Sequence, residues 1–546
     1  MAKAKASATT HETKPKQGKS GKKGTTYSPA SMPLASASPR DQVQTLNRPR
    51  PATTRYPISK EAFDKLERAA VKAKVPAKKK TTIHRDKGAS RRELAAQTGV
   101  APREVEPHEV AEPAAAPTPL GNFAGFTDTG WFPPDCTLAA GPSHILVSVN
   151  SSLAVYNKNG SAAMAPRTLS AWFGNVITNA KIFDPKALYD QYSNRWIFLA
   201  VAIPSNPAVK ESYFLLSISQ TGDPTKAWWN YKIDATKNGS TATNNWADYP
   251  CLGVDSQAIY VTANMFAFGG NFVTAKLRIF NKTPLLSGGV ATWWDFWNLL
   301  NDDGSNSFTV QPCHTYNAPG AEYLVNSYFT GSTTQNKLTL WTLTNPLAAP
   351  PTLTKRTVTT DPFGQPPVAD QQGGGVGLNA GDVRLLNAVF RGGSVWTTLT
   401  TFHKWNENVN RAAAHWFQIN ATNGAIIQQG IYGAGGLHYF YPAVVPDTNG
   451  NMTMVFSRCG ANEYAGIRFT GRLASDPLGT LQGSALLKAG TGNSQRIDPN
   501  DPLHRNRWGD YAGIATDPND GRQIWFHSMF AGTNNLWGTW IGTSRF

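Results

Sequence analysis

From Asp135 to the C-terminus, short apolar runs recur in pairs, each pair broken by a turn rich in Asp, Gly or Asn. The clearest copies are Asp184-Pro-Lys-Ala-Leu-Tyr-Asp190 leading to Arg195-Trp-Ile-Phe-Leu-Ala200, and Asp248-Tyr-Pro-Cys-Leu-Gly-Val-Asp255 leading to Ala258-Ile-Tyr-Val-Thr-Ala263. Two more are Tyr441-Pro-Ala-Val-Val-Pro-Asp447 leading to Met452-Thr-Met-Val-Phe456, and Asp510-Tyr-Ala-Gly-Ile-Ala-Thr-Asp517 leading to Gln523-Ile-Trp-Phe526. Runs of this length, rich in β-branched and aromatic residues, are strands joined as hairpins. A repeat of roughly fifty to sixty residues without a helical period is radial repetition of four-stranded sheets. The pattern predicts an all-β propeller of seven blades, at about 130–165, 184–234, 248–298, 310–360, 382–433, 438–489 and 508–546. The last is short by one strand. A strand from Gly121 to Gly130 completes it and closes the ring without an exposed sheet edge.

Charge divides the chain. Its net +16 resembles a nucleic-acid signal, yet residues 1–117 hold 24 Lys and Arg against 11 Asp and Glu, which leaves about +3 for the rest. The expected organisation is a disordered basic arm and Ala/Pro-rich linker over 1–118, then the propeller over 119–546. Within the arm, 59–74 reads as a short helix, with Ser59 as its cap and Ala62, Phe63, Leu66 and Ala70 on one face. It is either a docking helix for an acidic surface or polymer or a marginal, fraying turn. The run Lys78-Lys79-Lys80 has no stacking aromatics or reading motif beside it, so specific nucleic-acid recognition is not expected. No apolar stretch approaches the ~20 residues of a membrane-spanning helix. Met1-Ala-Lys-Ala-Lys-Ala-Ser has charge without an apolar region behind it, so no export signal is visible.

The four cysteines, Cys136, Cys251, Cys313 and Cys459, show no metal-ligand spacing. Cys251 and Cys313 each follow a proline at like positions of consecutive repeats. They are read as buried thiols, with a disulfide as the alternative.

Several segments carry a resemblance. Pro133-Pro-Asp-Cys-Thr-Leu-Ala-Ala-Gly-Pro-Ser-His144, with Val149-Asn-Ser-Ser-Leu-Ala-Val-Tyr156, is similar to the opening motif of a family of largely uncharacterised bacterial propeller proteins. The likeness continues in order through Asp184 to Trp196, Ser219-Gln-Thr-Gly-Asp-Pro-Thr225, Asp248 to Val254, Arg468-Phe-Thr-Gly-Arg472, Asp476-Pro-Leu-Gly-Thr480 and Arg507-Trp-Gly-Asp-Tyr-Ala512. The resemblance implies a secreted or surface-exposed propeller without an assigned biochemical role. This chain departs from the family in its long basic arm.

The chemistry on offer gathers where the inner strands begin. Asp135, Asp184, Asp248 and Asp510 hold that position, with Asp382 similar in the fifth repeat, His314 in the fourth and Tyr441 in the sixth. Such a ring suits Ca²⁺, with Asp184, Asp248 and Asp510 as ligands, or the hydroxyls of a sugar. The alternative is that each Asp accepts backbone N–H bonds in its own turn and staples neighbouring blades. Arg384, Arg468 and Arg507 are available to a substrate carboxylate, but the Ser-x-Asp-x-Gly-x-Thr-Trp box of sialidases is absent from every repeat. Asp447-Thr-Asn-Gly450 and Asp517-Pro-Asn-Asp-Gly521 read as plain hairpin turns. The adjacent Trp293 and Trp294 are the first expected sugar-stacking contacts, since neighbouring strand residues face opposite ways. No nucleophile elbow, phosphate loop or metalloprotease helix is present, and no catalytic residue is assigned. The expected function is a non-enzymatic binding or scaffold propeller. Its partner is a glycan or a protein, engaged through Asp135, Asp184, Asp248, His314, Asp382, Arg384, Tyr441, Arg507, Asp510, Trp293 and Trp294. Calcium is the one cofactor expected, if any. The alternative is a carbohydrate-active hydrolase or lyase that uses the mouth carboxylates.

Overall fold

The computed structural model describes residues 116–317, 320–328, 334–497 and 505–546, and three two-residue strands before them. The second compact unit of the chain, Arg48–Pro113, lies outside the described residues, and with it the helix expected at 59–74. The two-residue strands Thr26–Tyr27, Ala35–Ser36 and Gln44–Thr45 pair antiparallel with Thr352–Gly364, Thr292–Phe296 and Trp228–Asp234.

The folded body is an all-β propeller whose strands pair mostly with their sequence neighbours as antiparallel meanders. The sheet opening at Thr137–Ala140 closes at Ala162–Thr168, and the next runs from Ala180–Asp190 to Trp228–Asp234. The expected closing strand is present at Thr118–Thr127. It pairs antiparallel with the C-terminal strand Trp537–Arg545 and so seals the ring.

Among the described residues, sheets of four or more strands number six, against seven separate blades expected. The reason lies beside Cys313. His314–Thr315 bridges in parallel both to Val254 and to Val389 and Phe390. This joins the meander beginning at Asn245–Val254 to the one beginning at Ala388–Arg391, in a ten-stranded sheet. Such close approach needs a residue without a side chain. A Cβ on Gly253 would stand 2.6 Å from the Cys313 carbonyl oxygen, and one on Gly513 would stand 2.3 Å from the Leu138 nitrogen. The inner strands are thereby pinched around a narrow channel of about 80 Å³. Thr137, Lys186, Leu252, His314, Val389 and Tyr511 are among the residues that line it.

Turns and core follow from the sequence pattern. Each inner strand of the clearest repeats ends in an Asp whose carboxylate accepts N–H groups of its own turn: Asp190 from Tyr192, Asp255 from Gln257 and Ala258, Asp447 from Asn449 and Asn451, Asp517 from Asn519. Between the sheets Trp172, Trp196, Trp228, Trp341, Trp416, Trp508 and Trp525 are fully buried. Cys251 and Cys313 are buried free thiols, as are Cys136 and Cys459.

If the pinch is obligatory, Gly253→Ala destabilises the protein by about 1–3 kcal/mol, the usual cost of overpacking. Gly121→Ala meets only the Thr543 methyl, at 3.9 Å. It should stay within about 0.5 kcal/mol of the parent, as uncrowded sites do. Denaturant midpoints of the two variants measure the difference.

Candidate functional site

At one end of the channel the chain bends inward at residues with left-handed backbone: Asp135 (φ 49°), Asp184 (φ 53°), Tyr249 (φ 48°), Thr309 (φ 50°) and Tyr441 (φ 50°), of which Asp184, Tyr249 and Tyr441 interrupt their strands at a shift of register. Non-glycine residues seldom adopt this region, and here the neighbouring meander holds them in it. Asp184 N donates to Asn150 Oδ1 at 2.5 Å, Tyr249 N to Asp184 Oδ2 at 3.0 Å, and Thr309 N to Asn264 Oδ1 at 2.7 Å. Tyr441 N donates to Thr400 Oγ1 at 3.0 Å, and Asp510 N to Asp135 Oδ1 at 2.6 Å. Asn150 Nδ2 closes the set by donating to the other Asp135 carboxylate oxygen. Asp135 and Asp184 are therefore ties between meanders, as one reading of the repeated Asp anticipates.

The remaining polar groups face the mouth. Arg384 grips Asp382 through Nε and Nη2, at 2.8 and 2.6 Å, and lies 4.4 Å above the Tyr249 ring. Arg507 Nη2 donates to Asp510 Oδ2 at 2.7 Å. Asp248 is half-buried beside the Arg384 guanidinium. The floor is aromatic. Tyr249 and Tyr511 meet edge-on at 5.7 Å; Tyr511 Oη donates to Pro185 O at 3.0 Å and Tyr249 Oη to Asp510 O at 3.3 Å. Lys186 Nζ sits 2.9 Å from the Tyr511 ring centroid.

Crowding carboxyls in a half-dry mouth separates their proton affinities. Burial, helped by Asp510 and Asp184, pushes the Asp135 carboxyl well above the usual carboxylate range. Burial, then Asp248 and Asp510, lift Asp184 to about 8. Burial raises Asp248 to about 6 against the pull of Arg384. Burial also lowers the Lys186 ammonium to about 8. Asp382 is desolvated as well, yet Arg384 holds it below the usual range. The mouth thus contains both proton-holding and guanidinium-paired carboxyl groups within one cluster.

Not every expected residue is here. Asp135, Asp184, Asp248, Asp382, Arg384, Tyr441, Arg507 and Asp510 do gather around the mouth. His314 does not: its Nε2 meets Gln191 Oε1 at 3.1 Å, just past the strand Ala180–Asp190 and at the other end of its inner half from Asp184. Seven residues of extended chain separate those ends by roughly 20 Å. Trp293 and Trp294 are also elsewhere, on an outer strand, and only 3 % and 8 % exposed. Trp293 is stacked against the Arg278 guanidinium at 4.6 Å, so neither ring is an open sugar platform. Among the described residues no group of three His, Cys, Asp or Glu side chains is arranged to hold a metal ion, and this includes Asp184, Asp248 and Asp510. Sequence reasoning missed Lys186, Tyr249 and Tyr511. Lys186 stands two residues after Asp184, and that alternation is its signal; Tyr249 and Tyr511 directly follow Asp248 and Asp510, so alternation alone does not place them in the channel.

No protein-family model and no curated protein matches the sequence. Among solved structures, the chain is similar to a mutant of Trypanosoma rangeli sialidase displaying trans-sialidase activity, with TM-score 0.36 and 9 % identity over 79 % of this chain and 60 % of that one. It is also similar to Penicillium chrysogenum α-L-arabinanase complexed with arabinobiose, with TM-score 0.36 and 8 % identity over 79 % and 99 %. A third is the GH93 α-L-arabinofuranosidase of Fusarium graminearum, with TM-score 0.31 and 8 % identity over 68 % and 95 %. The chain spans about three-fifths of the sialidase's length. Likenesses this distant assign neither activity nor substrate.

A carboxyl whose affinity for protons rises on folding leaves the native state with more bound protons than the unfolded chain. Stability then falls as pH rises from the unfolded value near 4 toward the folded one. With Asp184 at about 8, unfolding free energies measured at pH 5, 6, 7 and 8 should decline across the series. Asp184→Asn, which keeps an oxygen for Tyr249 N, should flatten that decline. An unchanged slope would contradict the assignment.

Proposed function

We propose that the mouth is the active site of a carbohydrate-active hydrolase. The observation that carries this reading is the cluster just described: Asp248, lifted to about 6, stands among carboxyls that include the Arg507-paired Asp510, over a floor of tyrosines. Glycoside hydrolysis asks for such a pair, one carboxyl able to give a proton near neutral pH and one held as a base or nucleophile. Asp248 donates its proton to the departing glycosidic oxygen as the bond to the anomeric carbon breaks. Asp510, steadied by Arg507, either takes a proton from the water that adds to that carbon or attacks the carbon first. Tyr249, Tyr441 and Arg384 form the surrounding wall. The seven-blade count is likewise a proposal, with the two meanders of the ten-stranded sheet read as separate blades. So are membership of the bacterial propeller family, calcium at the Asp ring, and tethering of the basic arm to an acidic surface.

A second reading, glycan binding without turnover, draws support from the use of Asp135 and Asp184 as ties, which leaves fewer carboxyls free for chemistry. The experiment separates the two. The full chain is incubated with a polysaccharide panel including arabinans and sialosides, with and without calcium, and mass spectrometry follows the products. Hydrolysis predicts new fragments, and Asp248→Asn should cut the rate by about 10²-fold or more while ligand retention survives. Retention without fragments from the parent protein would sink the hydrolase reading in favour of binding.

A further inference from the structure

The end of the inner strands opposite the mouth carries polar groups of its own. His314 and Tyr316 stack there at 4.2 Å with their planes 27° apart, and the Arg391 guanidinium lies 4.2 Å above the same Tyr316 ring. Gln191 Nε2 and Tyr192 Oη both donate to Thr315 O, at 2.7 and 2.9 Å, and fix the opposite wall. Arg391 closes the strand Ala388–Arg391, ahead of Gly392 and Gly393, both left-handed (φ 59° and 76°) and with open space where a side chain would be. Arg391 is half-buried and the two glycines after it are exposed.

Arg278, Arg384, Arg458 and Arg507 each grip a carboxylate. Arg195, Arg468 and Arg472 lack a counter-ion, but each spends donors on a carbonyl or a serine; Arg391 does neither. Arg391 makes no ion pair or hydrogen bond among the described residues, and its Nε is buried without a partner. The nearby acids are committed elsewhere. Asp447 accepts from Asn449 N, Asn451 N and Asn451 Nδ2, while Asp190 takes the Lys282 ammonium at 2.9 Å. A guanidinium held over an aromatic ring, with its donors unspent, is a fork for a two-oxygen anion.

We propose that this cluster is a carboxylate-binding site, separate from the mouth, in which Arg391 receives the anion and the His314–Tyr316 stack positions the guanidinium. A neutral sugar offers hydroxyl oxygens but no charge to offset the guanidinium; inorganic phosphate can also meet the fork with two oxygens, but it sheds more hydration at a half-buried site.

The test is calorimetric titration of the full chain with D-glucuronate, with glucose as the neutral control and inorganic phosphate as the competing anion. Glucuronate should bind, glucose should not, and phosphate should bind more weakly. Arg391→Gln should weaken glucuronate roughly ten- to a hundredfold, the worth of a hydrogen bond to a charged group. Arg522→Gln, at an exposed arginine paired with Asp520, should leave it unchanged. Arg391 lies at the opposite end of the inner strands from Asp248, which keeps the outcome independent of the hydrolase reading. Should Arg391→Gln fail to fold, arginine-specific dicarbonyl labelling of the parent chain replaces it, and glucuronate must then protect Arg391. Equal binding of glucose, a preference for phosphate, an unaltered Arg391→Gln affinity or labelling unaffected by glucuronate would each overturn the proposal.

Discussion

The propeller depends on one repeated bond: a backbone N–H at the start of an inner strand, donated to a side-chain oxygen of the neighbouring meander. An inner strand must turn sharply into the channel, and at Asp184, Tyr249, Thr309 and Tyr441 it does so through a left-handed residue that is not glycine, while Asp510 donates the same bond without that conformation. That conformation leaves the N–H facing sideways rather than along its own sheet. A buried donor without a partner costs about 1–3 kcal/mol, so each junction needs an acceptor at a fixed height. Asp135, Asn150, Asp184, Asn264 and Thr400 supply it.

Function grows out of the same constraint. Because the acceptors stand at one level of the ring, carboxyls accumulate at one mouth, more than the junctions consume. Crowding and desolvation then lift Asp184 and Asp248, while Arg384 and Arg507 hold Asp382 and Asp510 in place. The crossing tyrosines Tyr249 and Tyr511 keep the cluster from opening freely into the channel below. A structural repeat has thus become a chemically uneven site, in which Asp135 and Asp184 serve the fold and Asp248 and Asp510 face the mouth.

Much of this was legible in the sequence. The paired apolar runs located the inner hairpins, the turn Asp at 190, 255, 447 and 517 marked where each ended, and the phase of Asp184, Asp248 and Asp510 placed them at one mouth. The failures have a common physical origin. In a propeller both faces of a blade pack against other blades, so alternation along a strand does not expose one face; Trp293 is covered by Arg278, and Trp294 packs with Tyr260 and Trp341. His314 was assigned to the mouth because its repeat has a very short inner strand. The left-handed turn there falls on Thr309, so His314 lies at the opposite end. The joining of two meanders through His314–Thr315 rests on backbone contact between distant repeats, which local pattern does not encode.

The central claim is the division of labour among the mouth carboxyls, and unfolding free energies of Asp135→Ala, Asp184→Ala and Asp248→Ala at one pH test it most directly. The first two orphan a neighbour's N–H and should each lose about 1–3 kcal/mol, whereas Asp248→Ala should lose well under about 1 kcal/mol. Equal losses at all three positions, or the largest at Asp248, would contradict the account.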